Sequence, residues 1–187
     1  MRSFKDEYLL DYVNIDEETD PELIDERVFC KEVVSDITKF IMAMGKGFTV
    51  IGTNHRLLIE ENEFFCDILL FNRDLNCLVV IELKRGKFKP AYLGQLLFYL
   101  SALDMLEKRQ NESPSIGLLL CKELSATTVE LAIQDYNKPM GVATYKTAKD
   151  IPAPYRALAP VVEEVKEILR KLPQGEKSMQ RPAGFCA

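Results

Sequence analysis

The sequence predicts an α/β domain in which a mixed central β-sheet is flanked by helices. Three observations carry that prediction. Apolar residues recur at helical spacing over 23–41. Short apolar segments separated by turn residues then follow one another between 48 and 84, as strands of a meander do. Beyond residue 90, helical and strand-like segments alternate, so hairpin-linked strands come first and β-α-β units afterwards.

Residues 1–20 are polar and acidic apart from Tyr8, Leu9, Leu10, Tyr12 and Val13, and read as an arm that packs on the body or on a partner. Pro21 opens a helix with Asp20 as its N-cap. Leu23, Ile24, Val28, Val33, Val34, Ile37, Phe40 and Ile41 supply its apolar face, and Gly45 and Gly47 end it. Phe48 to Ile51 and Arg56 to Ile59 read as two short strands. Phe64 to Phe71 and Cys77 to Lys84 read as two more, joined by the turn-rich stretch Asn72-Arg73-Asp74-Leu75-Asn76. A helix is expected from Pro90 to about Lys108, with Leu93, Leu96, Leu97, Leu100, Leu103 and Leu106 on one broad face. Ile116 to Cys121 is a strand, Thr127 to Tyr136 a helix and Gly141 to Tyr145 a final strand. After Ile151 come three prolines, a helix over about Val161 to Leu172 and a tail, Pro173 to Ala187, expected to be disordered. With no internal repeat and no second core, the chain reads as an arm over 1–20, one domain over 21–150, and a C-terminal helix and tail over 151–187.

The chain has 187 residues, 47% of them apolar, enough for one core without disulfides or a structural metal. No apolar run approaches the roughly 20 residues that span a bilayer, and the charged N-terminus lacks a signal-peptide segment. A cytoplasmic protein that does not engage membranes is expected. The net charge of −5 argues against nucleic-acid binding until its distribution is examined: residues 1–36 carry −8 and the remainder +3. The acidity therefore belongs to the N-terminal segment, and the mildly basic body permits phosphate binding. None of the five cysteines falls in a C-x-x-C pair, and the four in apolar surroundings read as reduced, core-filling thiols, with Cys66 and Cys77 as expected neighbours on paired strands. The one histidine, His55, reads as a surface residue at the start of a strand. A zinc site of the H-E-x-x-H type needs two histidines, and no G-x-S-x-G elbow accompanies His55 for a serine triad.

Two strands break their own pattern. Leu78 to Lys84 is apolar on both faces, as a central strand should be, yet ends with Glu82 and Lys84, whose spacing puts them on one face. Phe64 to Phe71 is apolar except for Asp67. If Arg73 to Asn76 form a four-residue loop, Asn72 faces Cys77, and counting back sets Asp67 opposite Glu82 with their Cβ atoms roughly 5 Å apart. Paired carboxylates in an apolar setting repel and lose solvation, so a cation must compensate. Lys84 supplies one charge, and hard oxygen ligands suit Mg2+ or Mn2+. Such a site activates water against a phosphodiester, with Lys84 orienting or deprotonating the water or stabilising the phosphorane. The alternative is a buried Asp-Lys-Glu network without catalysis.

Lys84, Arg85, Lys87 and Lys89 crowd the expected strand-to-helix junction, where a helix N-terminus favours an anion. Arg85, Lys87 and Lys89 are therefore the candidate nucleic-acid contacts, against the alternative of a solvated basic loop. On the following helix Gln95 and Tyr99 share a face. Gly94 costs roughly 1 kcal/mol relative to alanine there, which a close approach of the helix to the sheet, or of backbone to ligand, would explain.

Asp67, then Glu82-Leu83-Lys84, then Gln95-x-x-x-Tyr99 resembles the PD-(D/E)XK nuclease superfamily, which includes Holliday-junction resolvases and RecB-type nucleases. The stretch Cys77 to Pro90 followed by Gly94-Gln95-Leu96, together with Pro114 to Leu118, Cys121-Lys122 and Lys138 to Tyr145, is similar to the YhcG-like nucleases. The resemblance covers roughly 20–150. It implies an αβββαβ restriction-endonuclease-like core with an added αβ unit. Asp67 and Glu82 would be metal ligands, Lys84 the catalytic lysine, and Gln95 and Tyr99 supporting residues. An acid from the first helix often joins this site. Glu26 and Glu32 are its candidates, and Cys30 is the other occupant considered.

The implied function is metal-dependent hydrolysis of DNA, in repair, recombination or defence against foreign DNA. A homodimer is expected by symmetry, since cutting two strands calls for two sites. YhcG-like chains usually carry an additional N-terminal helical domain, and a partner supplying it is a further expectation. The alternatives are a catalytically inactive nucleic-acid-binding or scaffolding module on the same fold, or a phosphoesterase acting on RNA or nucleotides.

Overall fold

Asn72 pairs with Cys77 across Arg73–Asn76, so the short loop sets the register of the central hairpin as its length predicts. The loop is shaped by Asn72, whose Oδ1 accepts from the main-chain N–H groups of Asp74 and Leu75, each at 3.0 Å. Asn76 turns back into the next strand at φ +50°.

The computed structural model describes residues 4–13 and 26–147. Two compact units divide the chain, Met1–Ile151 and Pro152–Ala187, and the described residues belong to the first. Pro21 with its Asp20 cap, the C-terminal helix and the tail lie outside them. The elements are β1 (Glu7–Leu10), α1 (Glu26–Ser35), α2 (Ile37–Met44), β2 (Phe48–Ile59), β3 (Asn62–Asn72), β4 (Cys77–Lys87), α3 (Ala91–Leu106), β5 (Ile116–Glu123), α4 (Ala126–Ile133) and β6 (Met140–Thr147). They form one six-stranded sheet in the order β1-β6-β5-β4-β3-β2. The strands β2, β3 and β4 are antiparallel neighbours, whereas β4, β5, β6 and β1 are parallel. The sheet is therefore mixed and flanked by helices, as expected.

Each face of the sheet has its own core. On one, Tyr8, Phe29, Val33 and Phe40 pack against Val79, Ile81 and Leu83 beneath α1 and α2. On the other, Leu93, Leu96, Leu100 and Leu103 of α3 pack against Leu78, Val80 and Leu119. The strand β4 is buried from Cys77 to Lys84, which its continuous apolar run requires. At Gly117 the layers come closest: a Cβ there would lie 2.7–2.9 Å from three Leu96 carbons. The close approach expected at Gly94 is thus made by Gly117, because a Cβ at Gly94 meets nothing within 4 Å.

Several local readings are corrected. The long first helix is broken at Asp36, whose side chain accepts from Lys39 N–H at 3.1 Å and so starts α2 afresh. The two short strands are one, β2, with a register shift between Val50 and Gly52 absorbing the irregularity. His55 lies inside this strand rather than at its start, and its Nε2 is 2.8 Å from Glu107 Oε1 on the residue after α3. The acidic arm contributes β1, the outer parallel neighbour of β6. Cys66 and Cys77 are not neighbours: Cys66 pairs with His55, Cys77 pairs with Asn72, and the two thiols join opposite cores. Cys66, Cys77 and Cys121 are free thiols. Among the described residues no helix is long and apolar enough to cross a membrane.

Candidate active site

The β3–β4 ladder runs from Asn72↔Cys77 to Ile68↔Ile81. Continued one more step, that register would set Asp67 opposite Glu82. At that step side chains replace the main-chain ladder. Leu83 N–H donates to Asp67 Oδ2 at 2.8 Å, and Asp67 N–H donates to Glu82 Oε1 at 3.3 Å. Each carboxylate is tied to the backbone of the opposite strand. The alternation of β3 slips here as well: Cys66 and Leu69 both join the core beneath α3, while Ile68 and Leu70 join the other. On β2 the pairs Thr53↔Ile68 and His55↔Cys66 leave Asn54 abreast of Asp67, at φ +48°. The sheet is thus irregular on both sides of Asp67.

Glu82 and Lys84 follow Leu78 and Val80 onto the α3 face of β4, where they are 2% and 7% exposed. Burying charges this deeply demands compensation from neighbouring charge and polar groups. Lys84 Nζ stands 5.3 Å from the centre of the Tyr92 ring, a cation–π contact from the first turn of α3. Tyr92 also precedes Gln95 by three residues and Tyr99 by seven, so the three share one stripe of the helix. The sequence reading missed Tyr92, although this helical count would have found it.

Gln95 Nε2 donates to the Tyr99 hydroxyl at 2.9 Å. Burial pushes the Tyr99 hydroxyl above its ordinary pKa. The Gln95 hydrogen bond opposes that shift, and the negative charges of Glu82 and Asp67 add to it. Cys66 responds in the same way: burial, then the charges of Glu82 and Asp67, push its thiol up to about 12. In both residues burial is the larger cause, and the added effect of Glu82 and Asp67 reflects their proximity. The structure therefore brings Asp67, Glu82, Lys84, Gln95 and Tyr99 to one region between β3, β4 and α3.

The other predicted residues are placed differently. Among the described residues no group of three His, Cys, Asp or Glu comes together, so Glu32 does not join Asp67 and Glu82. Glu32 is exposed on α1, which packs on the opposite face of the sheet. The side chain of Glu26 lies outside the described residues. The basic run is not a loop, because β4 continues to Lys87 and carries one extra residue between the pairs Lys84↔Cys121 and Lys87↔Glu123. Arg85 is half-buried, and its carbonyl accepts from the Tyr145 hydroxyl at 3.4 Å. Lys87 and Lys89 are exposed where β4 gives way to α3.

The donor set fits a hard divalent cation. The Asp67 and Glu82 carboxylates would supply oxygen ligands, and Mg2+ held by one or two carboxylates keeps the rest of its shell as water.

A family model described as the YhcG PDDEXK nuclease domain matches residues 1–159. The YhcG protein of Escherichia coli (strain K12) is 29% identical over 145 residues, which are 78% of this chain and 37% of that protein. Among solved structures, a repair endonuclease from Pyrococcus abyssi aligns at 18% identity with a TM-score of 0.43, covering 66% of this chain and 46% of the other. An EndoMS complex with double-stranded DNA aligns at 16% identity with a TM-score of 0.38, covering 61% and 43%.

Proposed function

Because this chain belongs to the YhcG PDDEXK nuclease domain family, we propose that it hydrolyses DNA phosphodiester bonds as a Mg2+- or Mn2+-dependent endonuclease. The observation that carries this reading is the replacement of the β3–β4 ladder by the Asp67 and Glu82 carboxylates, with Lys84 two residues beyond on the same buried face. A structural ion network would not need to break a central ladder to place like charges opposite each other.

In this reading Asp67 and Glu82 hold the cation. When bound, the cation supplies Lewis-acid charge stabilisation and lowers the pKa of nearby water. Lys84 directs the attacking water, or neutralises the charge that develops on phosphorus oxygens as the new P–O bond forms and the bond to the leaving oxygen breaks. Tyr92 holds the Lys84 ammonium over its ring. Gln95 and Tyr99 line the α3 side and limit access of bulk water. Lys87 and Lys89, with Arg85 behind them, contact the phosphate backbone on either side of the cut. Repair, recombination and defence against foreign DNA are the settings in which such a cut is used, and the enzyme acts on DNA as a homodimer or with a partner carrying a recognition domain.

The test is nicking of supercoiled and branched DNA with added Mg2+ or Mn2+, comparing wild type with Lys84→Ala. Metal-dependent cutting that disappears in the variant supports the reading. If clean wild-type protein cuts no DNA, the reading fails and a nucleic-acid-binding module on the same fold takes its place.

A further inference from the structure

The helix α3 carries no charged side chain from Ala91 to Leu103, although Gly94, Gln95, Phe98 and Ser101 are exposed. A helix on a protein surface normally turns charged residues outward. Phe98 is 40% exposed. Its ring centre lies 4.7 Å from that of Phe64 and 5.9 Å from that of Tyr99. Phe98 therefore leads outward from Tyr99, the residue that senses the Asp67 and Glu82 charges. One turn earlier, Gly94 leaves space in which a Cβ would meet nothing within 4 Å.

We propose that this face of α3 seats an unpaired nucleobase of the substrate, stacked on Phe98, so that the preferred substrate carries a single-stranded segment beside the cut. The inference rests on the nuclease reading of Asp67, Glu82 and Lys84 and specifies its substrate class. A base on Phe98 would lie on the α3 side of the candidate site, because the Phe98 ring adjoins that of Tyr99, whose hydroxyl accepts from Gln95. Lys87 and Lys89 stand exposed just before α3 and complement a phosphate backbone entering along the helix. A base has an apolar face for Phe98 to stack on, and in a duplex that face is already taken by neighbouring bases. Gly94 then keeps the helix surface low where the strand passes, which accounts for a mid-helix glycine that nothing in the described protein requires.

The experiment uses the full chain in EDTA, so that nothing is cut. The probe is a short single-stranded oligonucleotide containing a fluorescent adenine analogue whose emission falls on stacking. Wild type and Phe98→Tyr are expected to quench it, and the same analogue inside a duplex is not. Phe98→Leu is expected to weaken binding by roughly 5- to 150-fold, the loss of one base–aromatic stack. Gly94→Leu is the second variant: its Cβ would meet nothing within 4 Å and leucine favours the helix over glycine, so it should fold at least as well yet bind more weakly. Equal quenching by wild type and a folded Phe98→Leu overturns the proposal. So does a wild-type dimer that Phe98→Leu dissociates, which would give the face to a second copy. The readout needs no metal and no turnover, so a protein that quenches but never cuts sinks only the nuclease reading. One that cuts DNA but never quenches sinks only the stacking site.

Discussion

Asp67 and Glu82 each hydrogen-bond the main chain of the other's strand, Asp67 through Leu83 N–H at 2.8 Å and Glu82 through Asp67 N–H at 3.3 Å. The carboxylates are thus structural parts of the hairpin as well as candidate ligands, and substitutions can separate the two roles.

Asp67→Asn keeps an oxygen to accept from Leu83 N–H but loses the charge, whereas Asp67→Ala strands that buried donor. Both are expected to abolish metal-dependent nicking. Asp67→Ala should also lower stability by about 1–3 kcal/mol relative to Asp67→Asn. Urea denaturation of the two variants checks this, and equal midpoints would mean that the Leu83 bond contributes nothing.

Tyr92 tests how Lys84 is held. Loss of its ring in Tyr92→Leu should reduce kcat by about 2- to 30-fold, the range of a cation–π contact, with a smaller change in KM. Tyr92→Phe retains the aromatic face and should restore most of the rate. If Phe were as poor as Leu, the hydroxyl and not the ring would be the working group.

Gly117→Ala should destabilise the fold by about 1–3 kcal/mol, since its Cβ would fall within 2.9 Å of three Leu96 carbons. Leu96 neighbours Gln95, so the strain is transmitted to the α3 side of the site. Pairing the substitution with Leu96→Ala should give less than the sum of the two single losses, measured as a double-mutant cycle. Strict additivity would count against this contact as the reason for the glycine.

Asp104 ties the start of β5 to Lys138: it accepts from Ser115 N–H at 2.8 Å and sits 2.6 Å from Lys138 Nζ. Burial alone would raise its pKa, but the Lys138 and Ser115 hydrogen bonds outweigh burial and hold it below the ordinary 3.8. A depressed folded pKa gives stability that is fully present above 3.8 and is lost as pH falls through the folded value. The stability difference between wild type and Asp104→Asn should therefore be flat above that pH and shrink in more acidic solution. A difference that grew on acidification would reverse the assignment.

The central hairpin and the face it buries were legible in the chain. A loop of four residues pairs Asn72 with Cys77, and side-chain alternation then puts Glu82 and Lys84 on one buried face. Those are short-range relations, whereas at Asp67 the ladder stops and side chains bond the main chain instead, which alternation does not foresee. The reading of an α/β fold survived because periodicity and element order are properties of the chain. Tertiary packing decided the remainder. Only the assembled sheet shows β1 beside β6 and Cys66 and Cys77 in opposite cores, because these relations join elements far apart in sequence. The same holds for Gly117 rather than Gly94 as the point of close approach, and for Tyr92 over Lys84, which depends on how α3 crosses β4. Parallel crossovers leave register and helix placement open until side chains interlock, and that interlocking is where the surroundings of the candidate site are made.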